Sequence, residues 1–460
     1  MKILVINISL RPESPVKMFP IGLGFITTAM KNAGFEFDLI DIDSNRYSDS
    51  EVDDLIAEEN YDVVCMGCLV TGYKKIKRLC SVIRKVHPHA KIIVGNSVAT
   101  SIPEILLNNT EADVAVMYEG DETIVDLLNC IKNGENLGNV HGLIMRDNGS
   151  IFRTGQRQII SDISSIPHID FNIFNVEDYI INNNIHESKS VPLEYIRALP
   201  VNTSRGCIAN CTFCYHVFKG IRYRYRTPGS IVSEIKELVH KYNINYIQLW
   251  DELTFFSKKQ ALALAQEIID AKIRVYWTAS CRANLFTKDK DLQIIEKLKE
   301  AGCCGIQYSL ESSDPTILKD MNKKISVEHF SKQTKLIQEA GITTWTSLVF
   351  GYPQETPETI AATLDCCIEN NIYPSTGFLL PQPGSVMYEY ALKNGYIEDE
   401  EEYILSMGDR QDLTMNMTSM SDEEFEEAVL CGLKKCNEHL NMGLPEDRLI
   451  KTKSFRSANK

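Results

Sequence analysis

No stretch of this 460-residue chain reaches the ~18 uninterrupted apolar residues that a membrane-spanning helix needs. The opening run MKILVINISL lacks the basic, apolar, small-residue order of a secretory leader and reads as a short strand. The chain is therefore expected to be cytoplasmic, with no membrane span. Positive charge is also scarce: Lys and Arg number 48 against 62 Asp and Glu, a formal net charge of -14. A field of that sign repels phosphate backbones and anionic lipid surfaces, so nucleic acid is not an expected partner. A disulfide framework of the small secreted kind is missing too, because 14 cysteines in a long chain without a leader read as free thiols or metal ligands. What remains is ordinary globular composition, 44% hydrophobic and 24% charged. Its length is about three times the ~150-residue prior for one domain.

Short apolar runs at 3–6, 35–42, 63–69, 91–94 and 114–117 alternate with amphipathic stretches at 21–31, 52–58, 74–86 and 102–107. This rhythm predicts an α/β, doubly wound (Rossmann-like) parallel sheet covered on both faces, with ligands bound beyond the carboxyl ends of its strands. From 139 to 200 the pattern turns irregular, with Asn148-Gly149, Ile166-Pro167 and the polar run Ile181-Asn182-Asn183-Asn184-Ile185, and reads as a connector. Alternation then resumes, with strands at 199–203, 246–249, 275–279, 305–310, 344–349 and 375–380. Amphipathic stretches separate them at 231–242, 259–271, 291–301, 326–340 and 357–371. Six such units predict an open, partial TIM-type (βα)6 barrel, since eight would close it. The acidic run 398–402 and a capping box of Ser421 with Glu424 introduce a small helical tail, whose basic end 451–460 is expected to fray. The expected plan is a doubly wound domain 1–140, a connector 141–195, a barrel 196–405 and a helical region 406–460.

Just after the first barrel strand stands Thr203-Ser204-Arg205-Gly206-Cys207-Ile208-Ala209-Asn210-Cys211-Thr212-Phe213-Cys214-Tyr215. Its thiols, spaced C-x3-C-x2-C, can wrap one iron–sulfur cube and leave one iron open to a small molecule. A structural zinc site is the alternative. It wants four ligands, usually as two pairs, and His216 adjoins Cys214 too closely to complete a second pair.

With Phe213 ahead of the last cysteine, the segment resembles the motif of the radical S-adenosylmethionine enzymes. The resemblance implies a [4Fe-4S] cluster on Cys207, Cys211 and Cys214 whose open iron chelates the amino and carboxyl groups of S-adenosylmethionine. It further implies cleavage to a 5′-deoxyadenosyl radical, driven by one electron from a donor such as flavodoxin or ferredoxin. The likeness continues along the barrel. In Trp250-Asp251-Glu252 the resemblance makes Glu252, then Asp251, the expected carboxylate for the methionine ammonium, where two glycines and a glutamate are commoner. In Ser280-Cys281-Arg282 it makes Arg282 the clamp for the methionine carboxylate. Ser309-Leu310-Glu311-Ser312 resembles the family's glutamate-bearing turn and Gly351-Tyr352-Pro353-Gln354-Glu355-Thr356 its glycine-proline-glutamate turn, with Pro381-Gln382-Pro383-Gly384-Ser385 following in the same style. Phe213, Asp251, Glu252, Arg282 and Glu311 are thus the expected S-adenosylmethionine contacts. Any one of these loops, taken alone, passes for turn chemistry.

A doubly wound domain ahead of such a barrel resembles the cobalamin-dependent branch of the family, over roughly residues 1–405. Phe19-Pro20-Ile21-Gly22-Leu23, Gly95-Asn96-Ser97 and Tyr118-Glu119-Gly120-Asp121-Glu122 are the matching loops. The resemblance implies a bound cobalamin with contacts at Thr71, Gly95, Asn96, Ser97, Glu119 and Gly120, glycine permitting close backbone approach. D-x-H-x-x-G, whose histidine ligates cobalt in many cobalamin proteins, does not occur, and Ser9-Leu10-Arg11-Pro12 stands after the first strand instead. Among the other cysteines, Cys65-Met66-Gly67-Cys68 ends a strand without a partner pair, and Cys303-Cys304 and Cys366-Cys367 read as core. The function implied is methylation of an unactivated carbon or phosphorus centre in a small molecule or lipid. Ring formation, ring contraction or rearrangement with the same modules is the alternative, and a non-catalytic cobalamin or metal sensor a third reading. Methylthiotransferases need a second three-cysteine set, which Cys65, Cys68, Cys80 and Cys130 do not present.

Overall fold

The computed structural model describes residues 1–147, 149–182, 191–192, 195–409 and 411–450. The polar run from Asn183 onward and the basic end 451–460 lie outside them. Strands β1 (Ile3–Asn7), β2 (Asp38–Asp41), β3 (Val63–Gly67), β4 (Lys91–Gly95) and β5 (Val114–Val116) pair parallel in the order β2-β1-β3-β4-β5. Every residue of β1 is buried, which is why the sequence shows an apolar run there and no alternation. The strand order reverses beside β1, the place where open α/β sheets form a ligand crevice. Two further strands, β6 (Leu143–Asp147) and β7 (Ser150–Arg153), extend the β5 edge antiparallel. They fall in the stretch whose sequence looks irregular because β7 is short and mostly exposed, so no buried face gives it a period.

The second half contributes β8 (Ala198–Val201), β9 (Ser204–Arg205), β10 (Arg224–Tyr225), β11 (Tyr246–Leu249), β12 (Tyr276–Ser280), β13 (Cys303–Gln307), β14 (Thr343–Phe350) and β15 (Pro374–Phe378). Six of these form a parallel sheet in the order β8-β11-β12-β13-β14-β15, while β9 and β10 make a separate antiparallel ribbon. The crossover helices Pro228–Tyr242, Lys258–Asp270, Val327–Glu339 and Pro357–Glu369 each begin on a hydroxyl side chain, Thr227, Ser257, Ser326 and Thr356 respectively. Each accepts a hydrogen bond from the backbone N–H three residues on, which satisfies an orphan donor and fixes where the preceding loop must end. Those loops are the ones that carry chemistry in a barrel. The last long helix, Asp422–His439, opens on the predicted Ser421–Glu424 capping box, and its Phe425 meets Phe378 of β15 edge-on at 5.2 Å.

One apolar cluster joins the halves. It runs from Ile8, Cys68, Val70 and Tyr73 at the carboxyl edge of the first sheet to Tyr352, Leu379, Leu380 and Met387 at that of the second, with Phe213 packed against it. The carboxyl edges of the two sheets therefore face a common space. Among the described residues, no helix is long and apolar enough to cross a membrane.

Candidate active site

The cysteine loop is the segment between β9 and β10. Gly206 starts it at φ +89, a left-handed turn that costs a Cβ-bearing residue strain. Thr212, between the second and third thiols, is tied on three sides: its N–H donates to Met321 O at 3.0 Å, its O accepts from Met387 N at 3.0 Å, and its hydroxyl lies 2.8 Å from Asp320 O and 2.7 Å from the Tyr352 hydroxyl. Asn322 Nδ2 donates to Asn210 O at 2.8 Å. The loop's shape is thus set by backbone and hydroxyl contacts, leaving the thiols free to bind.

Cys211 is buried, and Cys207 and Cys214 are half-buried. Burial, helped by the neighbouring thiols, raises the pKa of Cys207 and pushes that of Cys214 up to about 12. Arg282 and Lys323 act the other way on Cys207, as do Lys219 and Lys323 on Cys214. Three close thiols, whose thiolate forms repel one another and have cations around them, are a donor set that bound iron would satisfy. Among the described residues, no three His, Cys, Asp or Glu side chains are grouped as ligands to one ion. The ligands of a four-iron cube stand further apart, because each binds a different iron.

Around this loop the structure gathers Phe213, Glu252, Arg282 and Glu311, and it separates Glu252 from Asp251, the second candidate for the same role. Asp251 is spent on the neighbouring segment after β8, accepting from Asn202 Nδ2 (2.9 Å), Thr203 N (2.7 Å), Thr203 Oγ1 (2.7 Å) and Ser204 N (2.8 Å). Glu252 opens to the cleft and accepts only a long bond from Gly206 N, 3.3 Å, while loss of solvation and the adjacent Asp251 raise its pKa. Glu311, at a left-handed φ of 67°, pairs with Lys323 at 2.8 Å, and its Oε2 is buried without a hydrogen-bond partner. Lys323 Nζ also lies over the Phe213 ring at 5.8 Å, and its carbonyl accepts from Arg282 Nη2. The sequence offers no signal for Lys323, which sits in an unremarkable Asn-Lys-Lys turn and acquires its place only through packing.

Glu355, in the glycine-proline turn, is fully buried, and burial raises its pKa to about 7. It accepts from Thr359 Oγ1 at 2.5 Å and Gly351 N at 3.4 Å. Its folded pKa lies above its unfolded value, so its own contribution to stability is greatest below about pH 4.5 and is lost as the pH rises through about 7. Glu355→Gln can keep both bonds, since Thr359 Oγ1 also serves as an acceptor. The variant should be more stable than the parent by about 3 kcal/mol at pH 8 and nearly equal to it at pH 4.5. Urea midpoints at the two pH values decide this, and an equal difference at both would contradict it.

On the first domain, Thr71, Gly95, Asn96 and Ser97 lie together past the carboxyl ends of β3 and β4. Ser97 Oγ accepts from Val70 N at 2.9 Å and Asn96, at φ 68, caps Ser97 N at 2.6 Å, so one short network welds the two loops. Gly67 faces Gly95 so closely that a Cβ would stand 2.9 Å from Gly95 O. Leu10, Leu69 and Tyr118, shortly after β1, β3 and β5, leave apolar surface exposed along this edge. A flat, largely apolar macrocycle would cover it, so the edge suits a corrin. Glu119 and Gly120 are placed differently. Gly120 packs on Ile26, and the Glu119 carboxylate is buried against Arg205 and Arg224 of the second half.

A cysteine loop at the carboxyl edge of an open parallel barrel, facing the ligand edge of a doubly wound sheet, defines a radical S-adenosylmethionine enzyme joined to a corrin-binding module. Residues 201–367 match the model described as the Radical SAM superfamily, and residues 10–128 match the B12 binding domain. The chain belongs to the B12-binding radical SAM enzymes, and its cofactors are a [4Fe-4S] cluster, S-adenosylmethionine and cobalamin. It is 24% identical to an uncharacterized methyltransferase of Pyrococcus horikoshii over 86% of this chain and 85% of that one. It is 23% identical to the cytidylyl-2-hydroxyethylphosphonate methyltransferase of Streptomyces wedmorensis over 87% and 83% of the respective chains. Its fold is similar to that of the radical S-adenosylmethionine methyltransferase TsrM of Kitasatospora setae, solved with cobalamin and a [4Fe-4S] cluster bound. That similarity has a TM-score of 0.69 at 21% identity, over 86% of this chain and 78% of that one.

Proposed function

We propose that this enzyme methylates an unactivated carbon or phosphorus centre of a small molecule or lipid. The observation that carries the reading is the opposition of two ligand edges, the apolar strand ends at Leu10, Leu69 and Tyr118 and the loop of Cys207, Cys211 and Cys214, across one shared apolar cluster. Its relatives include methyltransferases, one of which is named for a phosphonate substrate. When bound, the cofactors supply a carbon radical able to remove hydrogen and a transferable methyl group.

The chain's own residues position and shield. In this reading Cys207, Cys211 and Cys214 hold the cluster. Arg282, anchored on the Lys323 carbonyl, presents its remaining N–H groups to the methionine carboxylate. Glu252, the carboxylate left open, accepts from the methionine ammonium, while Asp251 fixes the turn behind it. Glu311 and Phe213 form the wall on the Lys323 side. Thr71, Gly95, Asn96 and Ser97 approach the corrin, and Gly120 packs on Ile26 at the start of the helix Asp121–Asn133. A small one-electron donor of the flavodoxin or ferredoxin type completes the requirement.

Anaerobic purification with cobalamin supplied, followed by cluster reconstitution, should yield about four irons and about one cobalt per chain, without zinc. Label from methyl-labelled S-adenosylmethionine should then enter an extracted small molecule. Turnover that consumes S-adenosylmethionine but leaves no label in product would replace methylation by ring formation or rearrangement. For Arg282→Ala the cluster should form normally while the S-adenosylmethionine dissociation constant rises roughly tenfold or more. An unchanged constant removes Arg282 from the site.

A further inference from the structure

Strands β9 and β10 are each two residues long, and Arg205 pairs directly across from Arg224. Like charges opposite one another push such a ribbon apart, and these two guanidiniums are also buried. Their neutralisation comes from the other half of the molecule. Arg205 Nη1 donates to Glu119 Oε1 at 2.7 Å, and its two Nη atoms donate to Asp121 at 2.9 and 2.8 Å. Arg224 Nη1 donates to both oxygens of Glu119, at 2.9 and 2.8 Å, and to Ile160 O at 2.7 Å. The exposures of Arg205, Arg224, Glu119 and Asp121 side chains are only 7, 6, 5 and 11%. Two buried cations thus meet two buried anions, with little water to screen either.

Phe218, inside the cysteine loop, lies against both guanidiniums at 5.9 and 5.5 Å, and Phe25 of the first domain covers Arg205 at 5.3 Å. Only Gly206 separates Arg205 from Cys207. Both ends of the cysteine loop are therefore fastened to Glu119, and the Arg205 end also to Asp121, at the start of the helix Asp121–Asn133.

We propose that Glu119 and Asp121 are positioning residues for the iron–sulfur loop, so that the first domain supplies the counter-charge holding that loop closed over its cluster. This rests on the assignment of the cluster to Cys207, Cys211 and Cys214. A loop closed by two residue pairs opens at little cost once its ends repel, and an opened loop releases its metal.

The test uses the full-length, reconstituted protein and its variants E119Q and D121N, with E234Q as control. Glu234 is equally buried and pairs with Arg226, but both belong to the second half, so that pair does not cross between the domains, and Arg226 keeps its own bonds to Thr203 O and Asn202 O when Glu234 is changed. Far-UV circular dichroism establishes folding. The readouts are the rate of iron transfer to a chelator and the electron paramagnetic resonance of the reduced cluster, with and without S-adenosylmethionine. E119Q and D121N should lose iron roughly tenfold faster and show altered resonance, E234Q should match the parent, and E119D should restore much of the retention. Parent-like iron loss and resonance in folded E119Q would overturn the proposal, as would equal acceleration in E234Q. Should E119Q fail to fold, E119D and D121N decide by the same readouts. A parent protein that takes up no iron would instead defeat the cluster assignment.

Discussion

Protein in which Cys207, Cys211 and Cys214 are all alanine, carried through the same anaerobic reconstitution as the parent, holds no iron or sulfide above background and cleaves no S-adenosylmethionine. The expectation is a complete loss because no other thiol is placed to substitute. Cys281 and Cys68 are buried, the first receiving the Gln333 amide. The fold should survive the change, since Thr212, Asn322 and Arg205 tether the loop and the thiols do not. Far-UV circular dichroism should be unchanged and the thermal midpoint shifted by only a few degrees, equivalent to about 1 kcal/mol or less. A folded triple variant that retains both iron and cleavage activity removes the cluster from this loop.

Lys323→Met should destabilise the protein by about 3 kcal/mol at pH 7, because it strands the Glu311 carboxylate, which is buried and already has one unpartnered oxygen. The methionine keeps the length and apolar stem of the lysine, so the cost reads the charge and little of the packing. Adding Glu311→Gln removes the stranded charge and should recover most of the loss. A double-mutant cycle on urea midpoints measures the coupling. Coupling near zero would mean that the pair stabilises nothing despite its 2.8 Å contact. The single variant should also weaken S-adenosylmethionine binding, since it removes the ammonium that pairs with Glu311 and faces Phe213, although the Lys323 carbonyl that anchors Arg282 stays.

The parts of this architecture that were legible in sequence are those specified locally. The C-x3-C-x2-C spacing needs only a loop of a certain length. The βα alternation follows from buried strands and half-buried helices, and the cap at Ser421 follows from orphan backbone donors. Strands β6 and β7 were less legible because an edge hairpin with one exposed strand lacks a buried face to impose a period. Asp251 and Glu252 illustrate a different difficulty. As neighbours in sequence both were candidates for one role, yet the backbone turns Asp251 onto Thr203 and Ser204 after β8 and leaves Glu252 toward the cleft.

Sequence alone determined the class of fold, the cysteine motif and the family resemblance, because each depends on residues close together along the chain. Tertiary structure decided what Lys323, Arg205, Arg224 and Glu119 do. Their partners lie far off in sequence, Glu119 and Arg224 being 105 residues apart, and no local pattern encodes which distant charges will meet. Burial then sets the outcome, since a charge removed from water must find its opposite at hydrogen-bond distance. In this protein the charges that close the cysteine loop find their opposites in the other domain.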